Sequence, residues 1–384
     1  MRNLLIGLSF VFLMIATAGV DAADKNNDGT LTVSGFYSLT GAKLLSDATR
    51  DTSNSSLYQN HSCPCNIAVY EYGGVYEKDR GIRFDQESLL GIQIRKKFSP
   101  TLSATAQLVS RLRNPNDGST PTIDWLYVTW QPSGNSGWML QVGKMRIPIY
   151  YYSDQLYVGY AYPWVRPSAD VYGTSIYSYN GINASYRTQL GTSDWASTIT
   201  AWSGSYTQKD DVYLTRLFFG QPTNEAWKRM LGGSVAVTND VFDIRATMMH
   251  MNDIVWRDRA GGAPSTTIVD KYSQFAGLSM NMDYKNFLIK SEIDRADVSV
   301  GKYKYGLLGI GYQLGAWTPM YTYSRYLDDN SSDSGHTHVA SIRWDFYRNM
   351  ALKFEYDLAK EHFHHSYPIS ERSRLLSISL QGIF

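Results

Sequence analysis

The last thirteen residues, Arg372-Ser-Arg-Leu-Leu-Ser-Ile-Ser-Leu-Gln-Gly-Ile-Phe384, decide how the rest of the chain is read. Leu376, Ile378, Leu380, Gly382 and Phe384 share one parity, and Ser377, Ser379 and Gln381 share the other. Successive side chains on a strand point to opposite faces, so this segment is apolar on one side and small and polar on the other. A half-buried strand of a soluble sheet has the same pattern. What the stretch means therefore depends on the segments before it.

Those segments repeat the pattern. Thr30–Thr40 sets Leu31, Val33, Tyr37 and Leu39 against Thr32, Ser34 and Ser38, and a long connection then runs to about Gln86. Leu90, Ile92 and Ile94 alternate with Gly91, Gln93 and Arg95. The next segment sets Leu102, Ala104, Ala106 and Leu108 against Ser103, Thr105, Gln107, Arg111 and Arg113. Further strands are expected at 122–131, 138–146, 177–188, 195–205, 230–237, 241–251, 272–283, 287–297, 302–313, 317–326, 338–346 and 350–360. The total is about sixteen, an even number, as single-chain membrane barrels require. Connections near residues 96, 131, 188, 238, 284, 314 and 347 are short, and those near 41, 113, 147, 206, 253, 327 and 361 are mostly longer. Short turns at one end and long loops at the other are what a transmembrane barrel predicts, whereas a soluble sandwich has no reason to sort its connections by parity.

Composition agrees. Aromatic residues make up 14% of the 384, with 29 tyrosines, and charged residues only 18%. A barrel with aromatic girdles, an apolar outer band and a polar lumen needs that balance, and the mean hydropathy is −0.31. Residues 1–22 read as a signal peptide: Arg2, the apolar run Leu4–Ala18, and Val20-Asp21-Ala22 before Ala23. After it no apolar run is long enough for a helical span. The even charge balance, 36 Lys and Arg against 35 Asp and Glu, gives no footprint for a nucleic-acid partner. The fold expected over 23–384 is all-β, a transmembrane antiparallel barrel of sixteen strands. Lipid offers the backbone no hydrogen-bond partners, so the terminal strand must bond to the first.

Asp24-Lys25-Asn26-Asn27-Asp28-Gly29 begins like a calcium loop, but the twelfth position is Gly35 rather than a bidentate Glu, so it reads as a polar lead-in. The connection 147–176 is unusual. Tyr150-Tyr151-Tyr152-Ser153-Asp154 and Gly159-Tyr160-Ala161-Tyr162-Pro163-Trp164-Val165-Arg166-Pro167-Ser168-Ala169-Asp170 are far more aromatic than a solvated surface loop would be. Ser34-Gly35-Phe36-Tyr37, the run Val142-Gly143-Lys144-Met145-Arg146-Ile147-Pro148 into this loop, and the terminal Phe384 together resemble Gram-negative outer-membrane porins of the sixteen-stranded trimeric type. The resemblance implies a passive aqueous channel for small hydrophilic solutes in the outer membrane, surrounded by lipid and assembled as a homotrimer. It also implies that 147–176, the third extracellular loop, folds into the lumen and narrows it. A surface lid or a subunit-contact latch is the competing reading of the same loop.

If the loop turns inward, Asp154, Arg166 and Asp170 lie near the solute. Parity places Arg95, Arg111, Arg113, Arg187, Arg245, Lys290, Arg343 and Lys353 on the lumen side, with Glu87, Asp243, Glu292, Asp294, Asp345, Glu355 and Asp357. The signs nearly balance, so the count sets no strong ion preference. Lys144 and Arg146 share the outward parity of Leu140 and Val142. A bulge before Lys144 would turn both into the pore; otherwise both lie at the headgroup rim or a subunit contact. Cys63-Pro64-Cys65, near His61, suggests a small-ring disulfide or, with the late histidines, a soft metal site, though no ligand spacing is diagnostic. No cofactor is implied. A barrel adhesin or structural barrel remains an alternative. A barrel hydrolase is disfavoured: no Ser/His or Asp/His set stands at convincing spacing, and His250, the one histidine well inside a strand, faces outward.

Overall fold

The computed structural model describes residues 29–45, 65–69, 74–77, 80–112, 121–132, 136–211, 221–258, 266–363 and 369–384. The signal-peptide stretch and Cys63, His61 and Arg113 lie outside these residues. In chain order the strands are β1 (Leu31–Leu44), β2 (Cys65–Val69), β3 (Gly74–Glu77), β4 (Leu89–Lys97), β5 (Leu102–Arg111), β6 (Thr122–Trp130), β7 (Trp138–Arg146), β8 (Ser178–Gln189) and β9 (Ala196–Gln208). They continue with β10 (Asn224–Thr238), β11 (Phe242–Arg257), β12 (Thr266–Tyr284), β13 (Phe287–Val298), β14 (Gly301–Tyr312), β15 (Trp317–Asp328), β16 (Ser334–Tyr347), β17 (Met350–Phe363) and β18 (Ile369–Ile383). All but β2 and β3 form one closed ring of sixteen antiparallel strands.

The ring closes where the terminal stretch meets the first strand. Phe36 pairs with Ile383, Leu39 with Leu380 and Leu44 with Leu375. Gly35 N–H donates to the Phe384 carbonyl at 2.8 Å, and Phe384 N–H returns a bond to Gly35 at 3.0 Å. The Phe384 ring lies so close that a Cβ on residue 35 would sit 2.3 Å from its Cζ, so the Gly35 position is shaped by the ring it receives.

Burial runs opposite to that of a soluble sheet. On the terminal strand the serines are covered, Ser377 at 2% and Ser379 at 0% exposure, while Leu376 and Ile378 are 48% and 42% exposed. The same inversion holds on β17, where Lys353, Glu355 and Asp357 are buried and Phe354 and Leu358 are exposed. Apolar side chains facing out and polar ones facing in make this a transmembrane barrel.

The sixteen expected strands coincide with the observed ones, though several are longer, β12 running from Thr266 to Tyr284. At one end the connections are tight. Asn239, for example, turns β10 into β11 by accepting the N–H groups of Val241 (2.9 Å) and Phe242 (2.6 Å) on its Oδ1. The other end carries most of the longer connections, although only residues 299–300 intervene between β13 and β14 and 329–333 between β15 and β16. The first long connection, expected as loop, contains the hairpin β2–β3. It packs on Ala42, Leu44 and Leu375 through Ala68 and Tyr76.

Candidate functional site

β7 leaves the wall at a local irregularity. On β6 the register shifts between the partners of Gln107 and Leu108, which inserts Asp124 as an extra, buried residue. On β7, Gly143, the partner of Tyr127, has φ +141°. Lys144 stays in register with exposed Leu126, and its ammonium donates to the Ile123 carbonyl at 2.7 Å. Met145 and Arg146 are both buried. Arg146 pairs with Asp124 at 3.0 Å and lies 3.9 Å over the Tyr157 ring. The sequence reading moved Lys144 and Arg146 together. The bulge turns the chain one step later than that, bringing Arg146 in and leaving Lys144 on the outer parity.

Residues 147–177 then cross from wall to wall. Two short 3-10 turns, Ser153–Gln155 and Gly159–Ala161, shape the segment. On one side Arg111 of β5 donates to the Tyr157 hydroxyl. On the other, Glu292 of β13 accepts Tyr151 N–H at 2.8 Å and the Tyr172 hydroxyl at 2.7 Å. β5 and β13 stand eight places apart in the ring of sixteen, so these contacts lie on opposite walls. Burial and then Glu292 push the Tyr172 hydroxyl well above its ordinary pKa, which keeps it protonated as a donor.

The aromatic residues form the packing. Tyr152 meets Trp164 edge-on at 5.6 Å and Tyr162 at 5.8 Å. With Tyr150 and Tyr172 they join wall residues Trp202, Met230, Met251, Phe275, Leu307 and Met320 in one apolar cluster. Trp164 donates its indole N–H to Thr322 at 2.7 Å. A hydrophobic loop inside a polar lumen is thus covered by itself and by an apolar part of the wall.

The second half of the segment is pinned to β16–β18. Lys353, fully buried, donates to the carbonyls of Gly159 (2.6 Å), Tyr162 and Trp164 (2.7 Å). Val165 N–H donates to Glu355 at 2.7 Å, and Gln381 donates to the Val165 carbonyl at 2.9 Å. Arg166 bonds Glu87 (2.8 Å), Glu355 (2.8 Å), Asp357 (2.9 Å) and Ser377 (2.7 Å). Burial works against the Arg166 charge, but those three carboxylates outweigh it and hold the guanidinium well above its ordinary pKa. The small faces of Ser341, Ser377 and Ser379, in register beside Lys353 and Glu355, leave the room this docking needs.

Four expected pore-facing groups therefore serve the wall instead. Arg166 is buried among acids and does not face solute. Arg343 pairs with Asp345 at 2.7 Å and donates to the Tyr160 carbonyl at 2.6 Å. Asp170 accepts from Ser324 at 2.7 Å. Arg245 donates to the Pro148 carbonyl. Of the expected set, Asp154, Arg95 and Arg187 keep exposed side chains. Asp154 lies within Coulombic reach of Arg245 and Arg146, and Tyr127 feels both Asp154 and Arg95.

Lys353, Glu87, Glu292, Glu355 and Asp357 were read only as wall charges, yet they fix the loop. The available signal was the lone Arg166 among Trp164, Val165 and Pro167, a setting for a paired, buried cation. Cys65 is disulfide-bonded, which removes the thiolate the metal idea required. Among the described residues no group of His, Cys, Asp and Glu is arranged to hold a metal ion.

No protein-family profile and no curated protein matches the chain. Solved structures do. An anion-selective porin from Comamonas acidovorans is similar with a TM-score of 0.54 at 13% identity, over 93% of this chain and 100% of that one. The fold is that of a porin. OmpF of Salmonella typhi, in complex with daunomycin, gives a TM-score of 0.57 at 10% identity over 93% of this chain and 98% of that one. The trimer form of OmpT, an outer membrane protein of Vibrio cholerae, gives 0.53 at 9% identity over 93% and 100%. The porin-type barrel is thus shared with outer-membrane proteins at identities where only the fold is conserved.

Proposed function

We propose that the protein is a passive diffusion channel for small hydrophilic solutes and ions in the outer membrane of a Gram-negative bacterium. Residues 147–176 act as its constriction and three copies form the assembly. The observation that carries this reading is the segment's reach between β5 and β13, with Asp154 left exposed beside a basic wall. An ordered loop fixed across a polar lumen narrows a water path without closing it chemically. Exposed Arg95, with Arg245 and Arg146 within Coulombic reach of Asp154 although both also hold the loop, makes a transverse field, and the channel leans toward anions. The trimeric arrangement follows the resemblance and the trimer form of the similar OmpT. The reading involves no catalysis: the charged groups at the loop other than Asp154 are engaged in fixing it, and none of the described groups is set as a nucleophile with its base.

Reversal potentials in planar bilayers under a salt gradient test this. A channel more permeable to chloride than to potassium is expected, with Asp154→Asn strengthening the preference. Cation preference in the wild type, or no effect of Asp154→Asn, would refute the assigned eyelet.

A further inference from the structure

The outer face of β7–β11 changes character at one cross-strand rung. Lys144, Asn180 and Ser205 stand there in register, and the rung continues through Lys228 and Arg229 on β10 to Asn252 on β11. On the rung below, Val142, Ile182 and Leu231 are exposed and apolar. Lys228 precedes the tight turn at Asn239 by three turns' worth of strand pleats, and at strand rise and a tilt near 45° the rung stands roughly 20 Å above that turn. That is close to the height of a barrel's apolar band. The rung therefore marks the edge of the band at the end with the longer connections.

Two adjacent cations reach that edge because the strand is bulged. Consecutive strand residues ordinarily face opposite sides. Here Trp227 pairs with Tyr206 and Met230 with Gly204, so Lys228 and Arg229 together stand against the single Ser205, and both side chains are exposed. Arg229 has φ +52°, and among the described residues it is the one non-glycine residue with positive φ inside a strand. Glycine would take that conformation without strain, so the arginine is kept there at a cost to folding. Neither the Lys228 nor the Arg229 side chain makes an ion pair or hydrogen bond with a described residue. Asp270 is the acid of the next rung, opposite Ile254 and two strands from Lys228, and it forms no ion pair with either cation. Lys144 is committed to the Ile123 carbonyl on the far side of the rung.

We propose that the Lys228–Arg229 bulge binds the phosphate of an anionic lipid in the leaflet at this end of the barrel. The guanidinium offers a fork to two phosphate oxygens, and the neighbouring ammonium adds a point charge. Leu231 and Ile182, one rung lower, lie along the upper part of the acyl chain. Cations that cost energy in hydrocarbon become favourable at the level where anionic headgroups stand. The position selects a lipid over a soluble anion, because the apolar surface begins one rung from the charges. The site lies outside the lumen and stands whether or not the barrel conducts.

The full chain in mild detergent, titrated with phosphatidic acid or phosphatidylcholine of the same acyl chains and read by native mass spectrometry, tests the assignment. Phosphatidic acid should bind at least tenfold more tightly. Lys228→Gln with Arg229→Gly should remove that preference and leave phosphatidylcholine unchanged. The glycine relieves the positive φ, and a heat-modifiable gel shift confirms that the variant is folded. Lys228→Arg should retain the preference. So should Arg295→Gln with Lys304→Gln, which removes two exposed cations of β13 and β14 away from the bulge. Equal affinity for the two lipids, an unchanged preference in the Lys228/Arg229 variant, or an equal loss in the Arg295/Lys304 variant overturns the proposal. Glycerol phosphate binding as tightly as phosphatidic acid overturns it as well.

Discussion

The two halves of the segment 147–176 are held by different physics. The half from Gly159 to Asp170 is fixed by charge: Lys353, Arg343 and Arg166 take up backbone carbonyls and buried carboxylates on β16–β18. The half from Pro148 to Gln155 is fixed chiefly by packing, with Tyr150 and Tyr152 in the apolar cluster, and its polar ties include Tyr151 to Glu292, Arg245 to the Pro148 carbonyl and Tyr152 N–H to the Tyr172 hydroxyl. The first arrangement consumes its charges in holding the chain, whereas the second leaves Asp154 exposed. One half of the loop is therefore structural, and the other presents the group proposed to face solute.

Mutations that separate the halves should differ in kind as well as size. Arg166→Gln is expected to have the largest effect. It strands Glu87, Glu355 and Asp357 as buried carboxylates, a cost of about 3–5 kcal/mol, and should lower the temperature of the heat-modifiable gel shift by the widest margin. Lys353→Met follows. It takes the Lys353 donor from three loop carbonyls, of which Tyr162 keeps Arg343 at 3.2 Å, and an unmet buried acceptor costs about 1–3 kcal/mol. Proteolysis within 159–166 should rise in this variant while the barrel strands stay protected. Tyr172→Phe removes the hydrogen bond to Glu292 and the one the hydroxyl accepts from Tyr152 N–H, and should cost about 1–2 kcal/mol, read as a smaller drop in the same thermal shift. Asp154→Asn should leave stability unchanged within about 0.5 kcal/mol and alter only the reversal potential. A stability loss at Asp154 as large as that at Lys353 would erase the distinction between the halves.

The barrel was legible because its signal is repeated. Each strand alternates, and the inversion that puts Ser377 and Ser379 inside follows from lipid being the outer solvent. The bulge at Asp124 was less visible, because one inserted residue changes parity locally without altering composition. Parity told that Lys353, Glu355 and Asp357 face inward, but not that a segment nearly 190 residues away in sequence would meet them (the Arg166–Glu355 separation is 189). Alternation assigns a face and says nothing of what crosses the lumen to reach it. For the same reason Arg166 and Asp170 read as solute-facing when the wall had already claimed them, and hairpin β2–β3 was missed in a stretch with weak alternation.

Single-channel conductance of the folded protein in planar bilayers, wild type beside Arg166→Gln, tests the central claim most directly. Discrete ohmic steps in the wild type are predicted, with larger and noisier steps once the pinned half of the loop is released. Silence from wild-type protein that keeps its heat-modifiable fold, or identical steps in the two proteins, would contradict the account.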